Sequence, residues 1–63
     1  MMNDLKLYTI DEVSDILKVT PRTIYSYIKN KELEAVKIGK YWRVKHSALK
    51  TFIDARTEVV YSD

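Results

Sequence analysis

In the first third of the chain the apolar positions fall at helical spacing. Ile10, Val13, Ile16 and Leu17 recur three and four residues apart, the period of a helix with one buried face. Thr9-Ile10-Asp11-Glu12 has the form of a capping box: the threonine hydroxyl accepts from the Glu12 backbone N–H, and the Glu12 carboxylate reaches back to the Thr9 N–H. Asp11 and Glu12 also suit the positive end of a helix dipole. These features predict a first helix over about residues 10–17. Thr20-Pro21 restarts the pattern, with threonine as N-cap and proline pre-set for the first helical position. Only Lys18-Val19 intervenes, so the connection is a tight turn. The second helix runs from Pro21 to about Lys29, with Ile24 and Ile28 on one face, and Asn30 suits its C-cap because asparagine tolerates a left-handed backbone.

The period then changes from helix to strand. Val36 and Ile38 alternate with Lys37, Gly39-Lys40 interrupts, and Trp42 and Val44 alternate with Tyr41 and Arg43. Two short alternating runs around a glycine turn predict a β-hairpin, with Val36, Ile38, Trp42 and Val44 on its apolar face and Lys37, Tyr41 and Arg43 on the other. A third helix starts near His46-Ser47, its stripe of Leu49, Phe52 and Ile53 packing on the first two helices and the hairpin. Residues 58–63 show no clear period and read as a frayed tail. The expected fold is α+β: a small winged helix-turn-helix of three helices, with a two-stranded hairpin wing between the second and third. One domain is expected over 1–63, its core at about 7–56.

Composition narrows the functions open to such a fold. A chain of 63 residues buries only about 60% of the surface its unfolded form exposes, too little for most enzyme scaffolds. Cysteine is absent and histidine occurs once, which argues against disulfides, thiolate nucleophiles and a structural metal site. Neither a bilayer-spanning apolar run nor a signal-peptide pattern is present, and a cytoplasmic protein is expected. Net charge is only +2, yet residues 20–50 hold eight lysines and arginines against two glutamates. A basic centre between mildly acidic ends is the footprint of a protein that meets a polyanion.

Catalysis finds little support in the residues. His46 and Ser47 are adjacent, so their side chains diverge, whereas a nucleophile and its base must share a hydrogen bond. The bland reading, a capping or phosphate-side histidine, is preferred. Gly39 is the only glycine, so no phosphate-binding glycine loop exists. No enzyme activity and no cofactor are expected. The helix–turn–helix is the informative constellation, because its second helix can enter a DNA major groove. With Ile24 and Ile28 turned inward, Arg22, Thr23, Tyr25, Ser26 and Lys29 are left outward, together with Thr20 at the cap. Arg22 is suited to guanine O6 and N7, Thr23 and Ser26 to bases or phosphates, and Tyr25 to a phosphate or a thymine methyl. On the hairpin, Lys37, Lys40, Tyr41 and Arg43 are candidates to follow the phosphate backbone. Tyr27 and Trp42 are assigned to packing.

In order and spacing, these segments resemble the excisionase-type, MerR-related winged helix-turn-helix domains, which include the AlpA-like small regulators. Thr9-Ile10-Asp11-Glu12-Val13-Ser14-Asp15-Ile16-Leu17 resembles the family's opening T-x-x-E-(V/A)-A-x-x-L, and Thr20 to Ile28 its recognition helix S-x-x-T-(V/I)-x-x-x-(I/L). Leu33 to Val44 resembles the wing L-x-A-x-(K/R)-(V/I)-G-x-x-(W/Y)-R-(I/V/F), and Leu49 to Ile53 the closing L-x-x-(F/W)-(I/L). The resemblance implies sequence-specific binding of double-stranded DNA without catalysis, with helix 21–29 in the major groove and the 37–43 wing on the backbone or minor groove. It further implies an excisionase or small transcriptional regulator of a bacterium, phage or mobile element. Such proteins bind repeated sites side by side and bend DNA, in some cases beside a site-specific recombinase. The chain ends before a dimerisation helix or effector domain, so no small-molecule effector is expected; its start and acidic end suit a complete small protein, with a domain of a larger protein as the other possibility. Family members often carry glycine where Lys18 and Lys31 stand; a left-handed non-glycine residue costs about 1–2 kcal/mol. The alternative is an antirepressor-like protein-interaction module on the same fold, with Tyr25, Tyr27, Tyr41 and Trp42 as exposed anchors.

Overall fold

The computed structural model describes residues 6–56. The N-terminal segment read for a signal peptide and the tail expected over 58–63 lie outside those residues. Element order is β1 (Leu7–Thr9), α1 (Ile10–Leu17), α2 (Pro21–Lys29), β2 (Val36–Ile38), β3 (Tyr41–Lys45) and α3 (His46–Arg56). The result is an α+β winged helix-turn-helix, with one addition. The wing belongs to a three-stranded antiparallel sheet in the order β1-β3-β2, where a two-stranded hairpin was expected. β1 runs directly into the α1 start and no turn signal joins it to a neighbouring strand, so the pattern left it unmarked.

Both helix starts form as their sequences dictate. Glu12 N–H donates to Thr9 Oγ1 at 3.1 Å, and Thr9 N–H to Glu12 Oε1 at 2.8 Å, which closes the capping box. Thr20 Oγ1 accepts from Thr23 N–H at 3.2 Å, with Pro21 in the first helical turn. The helix ends differ from expectation. Asn30 is the C-cap of α2 but has φ −84°; the left-handed residue is Lys31 at φ 63°. Lys31 N–H donates to Ile28 O at 3.0 Å and Glu32 N–H to Tyr27 O at 2.8 Å, the two bonds of a Schellman turn. Lys18 takes the same conformation at φ 61° after α1.

The core consists of Ile10, Val13, Ile24, Leu33, Val44, Leu49 and Phe52, with Tyr8, Leu17, Tyr27, Ile28 and Trp42 packed on it. All three helices and the central strand contribute. Two apolar residues assigned inward by spacing sit further out: Ile16 is exposed and Ile53 lies at the border of exposure. They line a surface groove with Tyr8, His46 and Leu49. Ser14 is buried, and its hydroxyl donates to Asp11 O at 2.9 Å, so its burial leaves no polar group unsatisfied. His46 opens α3, where its Nδ1 lies 3.0 Å from the Tyr8 hydroxyl and its N–H donates to Lys6 O at 3.1 Å. The His46 imidazole therefore ties β1 to α3 through Tyr8.

The hairpin faces are the main correction. Cross-strand partners are Val36 with Arg43, Lys37 with Trp42, and Ile38 with Tyr41, and directly opposed residues share a face of the sheet. Val36, Ile38, Tyr41 and Arg43 therefore lie on the outer face, and Lys37, Trp42 and Val44 on the inner one. The expected grouping of Val36 and Ile38 with Trp42 and Val44 would need a three-residue loop. The observed loop is Gly39-Lys40 alone, with Gly39 at φ 64°, as expected of a tight turn with glycine at its first central position.

Candidate nucleic-acid interface

The face of α2 turned away from the core carries Arg22, Tyr25, Ser26 and Lys29, all exposed. Their spacing of three and four residues places them on one stripe along the helix. That stripe exists because Ile24 is fully buried and Ile28 packs on the core. The first turn of α2 contains no acidic residue, so the helix dipole and Arg22 present positive charge at the same end.

Two predicted site residues are partly occupied in the fold. Thr20 is exposed and Thr23 half-buried; their hydroxyl oxygens lie 3.1 Å apart, and Thr20 Oγ1 already accepts the Thr23 N–H. The first job of Thr20 is to cap α2, and each hydroxyl keeps only its remaining hydrogen-bonding capacity for a ligand.

Tyr25 of α2 comes together with Tyr41 and Arg43 of β3 around an open cleft of about 260 Å³, whose other walls are Thr9, Ile10, Asp11 and Trp42. Tyr25 is 48% exposed and Tyr41 64%. The Arg43 guanidinium lies 5.7 Å from the Tyr41 ring centre and donates to Trp42 O at 3.0 Å, which fixes its stem and leaves further N–H donors. Asp11 puts a carboxylate on the cleft wall. Its place in the first turn of α1 also suits the helix dipole.

The structure does not bring Lys37 to this group. Lys37 lies on the inner face of the hairpin, its Nζ 5.8 Å from the Trp42 ring centre. Lys40 is exposed in the turn, at the tip of the wing. The four aromatic residues of the protein-interaction reading divide into two pairs. Tyr25 and Tyr41 are exposed, whereas Trp42 is half-buried on the core and Tyr27 packs on Phe52 with ring centres 5.0 Å apart. Arg56 covers the rings of Tyr27 and Phe52, 5.3 Å from the first and 4.6 Å from the second, and pairs with Glu32. This contact fastens the end of α3 to the end of α2. Among the described residues, no helix is long and apolar enough to cross a membrane.

Residues 7–57 match the family of helix-turn-helix domains, and the chain belongs to that family. A Bacillus subtilis (strain 168) protein, "Uncharacterized protein YvgK", is 41% identical over 51 residues, which are 81% of this chain and 17% of that protein. Two Mycobacterium tuberculosis proteins, "Putative DNA-binding protein MT0521" (strain CDC 1551 / Oshkosh) and "Putative DNA-binding protein Rv0500A" (strain ATCC 25618 / H37Rv), are each 33% identical over 49 residues, 78% of this chain and 63% of theirs. The chain thus spans less than two thirds of the length of each of these relatives. No solved structure matches it at a significant level.

Proposed function

We propose that this chain binds double-stranded DNA sequence-specifically, with α2 in the major groove and the wing on the neighbouring backbone or minor groove. The observation that carries the reading is the shared orientation of two elements. The outward stripe of α2 and the outer face of β3 meet at one cleft, through Tyr25, Tyr41 and Arg43. Family membership and the names of the mycobacterial relatives support the same reading. In this reading Arg22 reads a base edge, Tyr25, Ser26 and Lys29 divide bases and phosphates between them, and Thr20 and Thr23 add hydroxyl contacts at the helix start. Tyr41, Arg43 and Lys40 hold the backbone beside it, and Lys37, on the opposite face of the hairpin, is left out of this contact set.

Within that class, the resemblance to excisionase-type and AlpA-like domains favours a small excisionase or transcriptional regulator in the cytoplasm of a bacterium. It would act on repeated sites, and beside a site-specific recombinase in the excisionase case. Both roles use one surface, so the location of the target separates them. The test is selection from a pool of random duplexes at two salt concentrations, with the bound fraction sequenced. Enrichment of a short motif, with affinity falling steeply as salt rises, is the expected result. The position of that motif at a mobile-element end or at a promoter then assigns the role. Binding without enrichment at either salt overturns sequence-specific recognition and favours a protein-interaction module on the same fold.

A further inference from the structure

The wing ends in an apolar pair that the core does not use. Ile38 is 54% exposed and Tyr41 64%, and the two are direct cross-strand partners flanking the Gly39-Lys40 turn. Neither belongs to the core or to the residues packed against it. From Val36 to Lys45 the hairpin carries Lys37, Lys40, Arg43 and Lys45 and no carboxylate. An exposed isoleucine–tyrosine pair at the tip of the ribbon is therefore flanked by Lys40 in the turn and by Arg43 on the same face, with Lys37 on the opposite face.

That combination is complementary to one surface in particular. A cationic frame favours a polyanion over an apolar protein groove, and a phosphate backbone alone offers an isoleucine nothing. Proteins that enter the minor groove use cations on the phosphates and push an apolar side chain between base steps, kinking the duplex by about 20–90° toward the major groove. We propose that the Ile38–Tyr41 pair is such a wedge: Ile38 enters a minor-groove base step beside the site of α2, with Tyr41 stacked against the sugar edge and Lys40 and Arg43 on the flanking phosphates. This inference rests on the DNA-binding reading above and adds a residue, Ile38, that the hydrophobic pattern assigns to the core. It also adds a mechanism of bending and a source of specificity, since pyrimidine–purine steps unstack most readily.

The test uses the whole chain and a duplex enriched from the random pool, labelled at both ends to report bending by energy transfer. A second set of duplexes carries 2-aminopurine at successive steps beside the α2 site. The variant is Ile38→Thr, which keeps β-branching and charge while removing apolar reach; a melting temperature equal to that of the wild type shows that it folds. The expected result is about tenfold weaker binding, as losing roughly half of one buried side chain implies. The bend should diminish, and the fluorescence rise seen with the wild type at one step should vanish. The salt dependence should stay the same, because no charge has changed. Unchanged affinity and bend overturn the wedge while leaving DNA binding intact. A wild type that self-associates through Ile38, with a monomeric variant that bends DNA normally, makes the pair a protein contact and also overturns it. A wild type that enriches no duplex removes the DNA reading itself, a failure visible before any variant is made.

Discussion

The α2 helix and the wing carry similar outward chemistry on different supports. α2 is fastened along its whole length. Thr20 caps its start, Ile24 is fully buried, Tyr27 and Ile28 pack on the core, and a Schellman turn with the Arg56–Glu32 pair holds its end. The hairpin is fastened at one end only. Val44 is fully buried and Trp42 half-buried, but from Lys37 to Tyr41 every residue is exposed. A helix seated this firmly holds Arg22, Ser26 and Lys29 in fixed register, which hydrogen bonding to base edges demands. A ribbon anchored only at its base can adjust to a backbone or a deformed groove, where contacts supply affinity more than sequence choice. A core this small seats one helix rigidly, and the wing extends past the packed interior.

The sharpest way to break this comparison is to make one substitution in both regions. Ile24→Ala removes a fully buried side chain and should cost about 2–5 kcal/mol, a large part of the roughly 5–15 kcal/mol that holds a domain together. Ile38→Ala, on the exposed tip, should stay within about 1 kcal/mol, the scale of a cross-strand pair. Urea unfolding measures both, and equal losses would erase the distinction between a seated helix and a projecting ribbon. The next largest effect concerns function. Arg22→Ala should weaken binding to an enriched duplex by about 1–3 kcal/mol and flatten the preference at one base pair, whereas Lys40→Ala should weaken all duplexes alike and lower the salt slope by about one. Titrations of matched and mismatched duplexes at several salt concentrations separate the two. An Arg22→Ala protein that loses affinity but keeps its preference would move base reading away from α2.

The same contrast explains which parts of the molecule were legible in the sequence. α1 and α2 were read to the residue, because each carries a local start signal, Thr9 with Glu12 and Thr20 with Pro21, whose bonds form within four residues. The inward assignment of Ile24 and Ile28 followed from period alone. The wing was located correctly and the faces of β3 are as expected, but those of β2 are reversed, because alternation within each strand fixes faces only relative to that strand. The loop length sets the relation between strands, and a two-residue loop pairs Ile38 with Tyr41, which turns both outward. Counting the Gly39-Lys40 loop would have found this. β1 was not legible, since its pairing with β3 joins residues more than thirty positions apart. The meeting of Tyr25 with Tyr41 and Arg43 is likewise a tertiary event. The separation of Lys37 from that group follows from the same pairing register.

The backbone offers the finest version of the comparison. The wing turns on Gly39 at φ 64°, whereas α2 is bracketed by lysines in the same conformation, Lys18 at φ 61° and Lys31 at φ 63°. A Cβ on Gly39 would meet nothing within 4 Å, so only the backbone angle calls for glycine there. Gly39→Ala should therefore cost about 1 kcal/mol, the low end of the left-handed penalty, offset in part by a less flexible unfolded chain. The reverse change at the helix ends should carry the opposite sign. Lys31→Gly relieves a penalty of about 1–2 kcal/mol and returns roughly 0.4–1 kcal/mol as unfolded-state entropy, a net gain of about 0.5 kcal/mol. In a domain of this size that raises the melting temperature by about 2–4 °C. Thermal unfolding of the two variants side by side gives both signs. A loss at Lys31→Gly would mean that the lysine side chain contributes more there than its backbone strain costs, and the support of α2 would then include a contact made by that side chain.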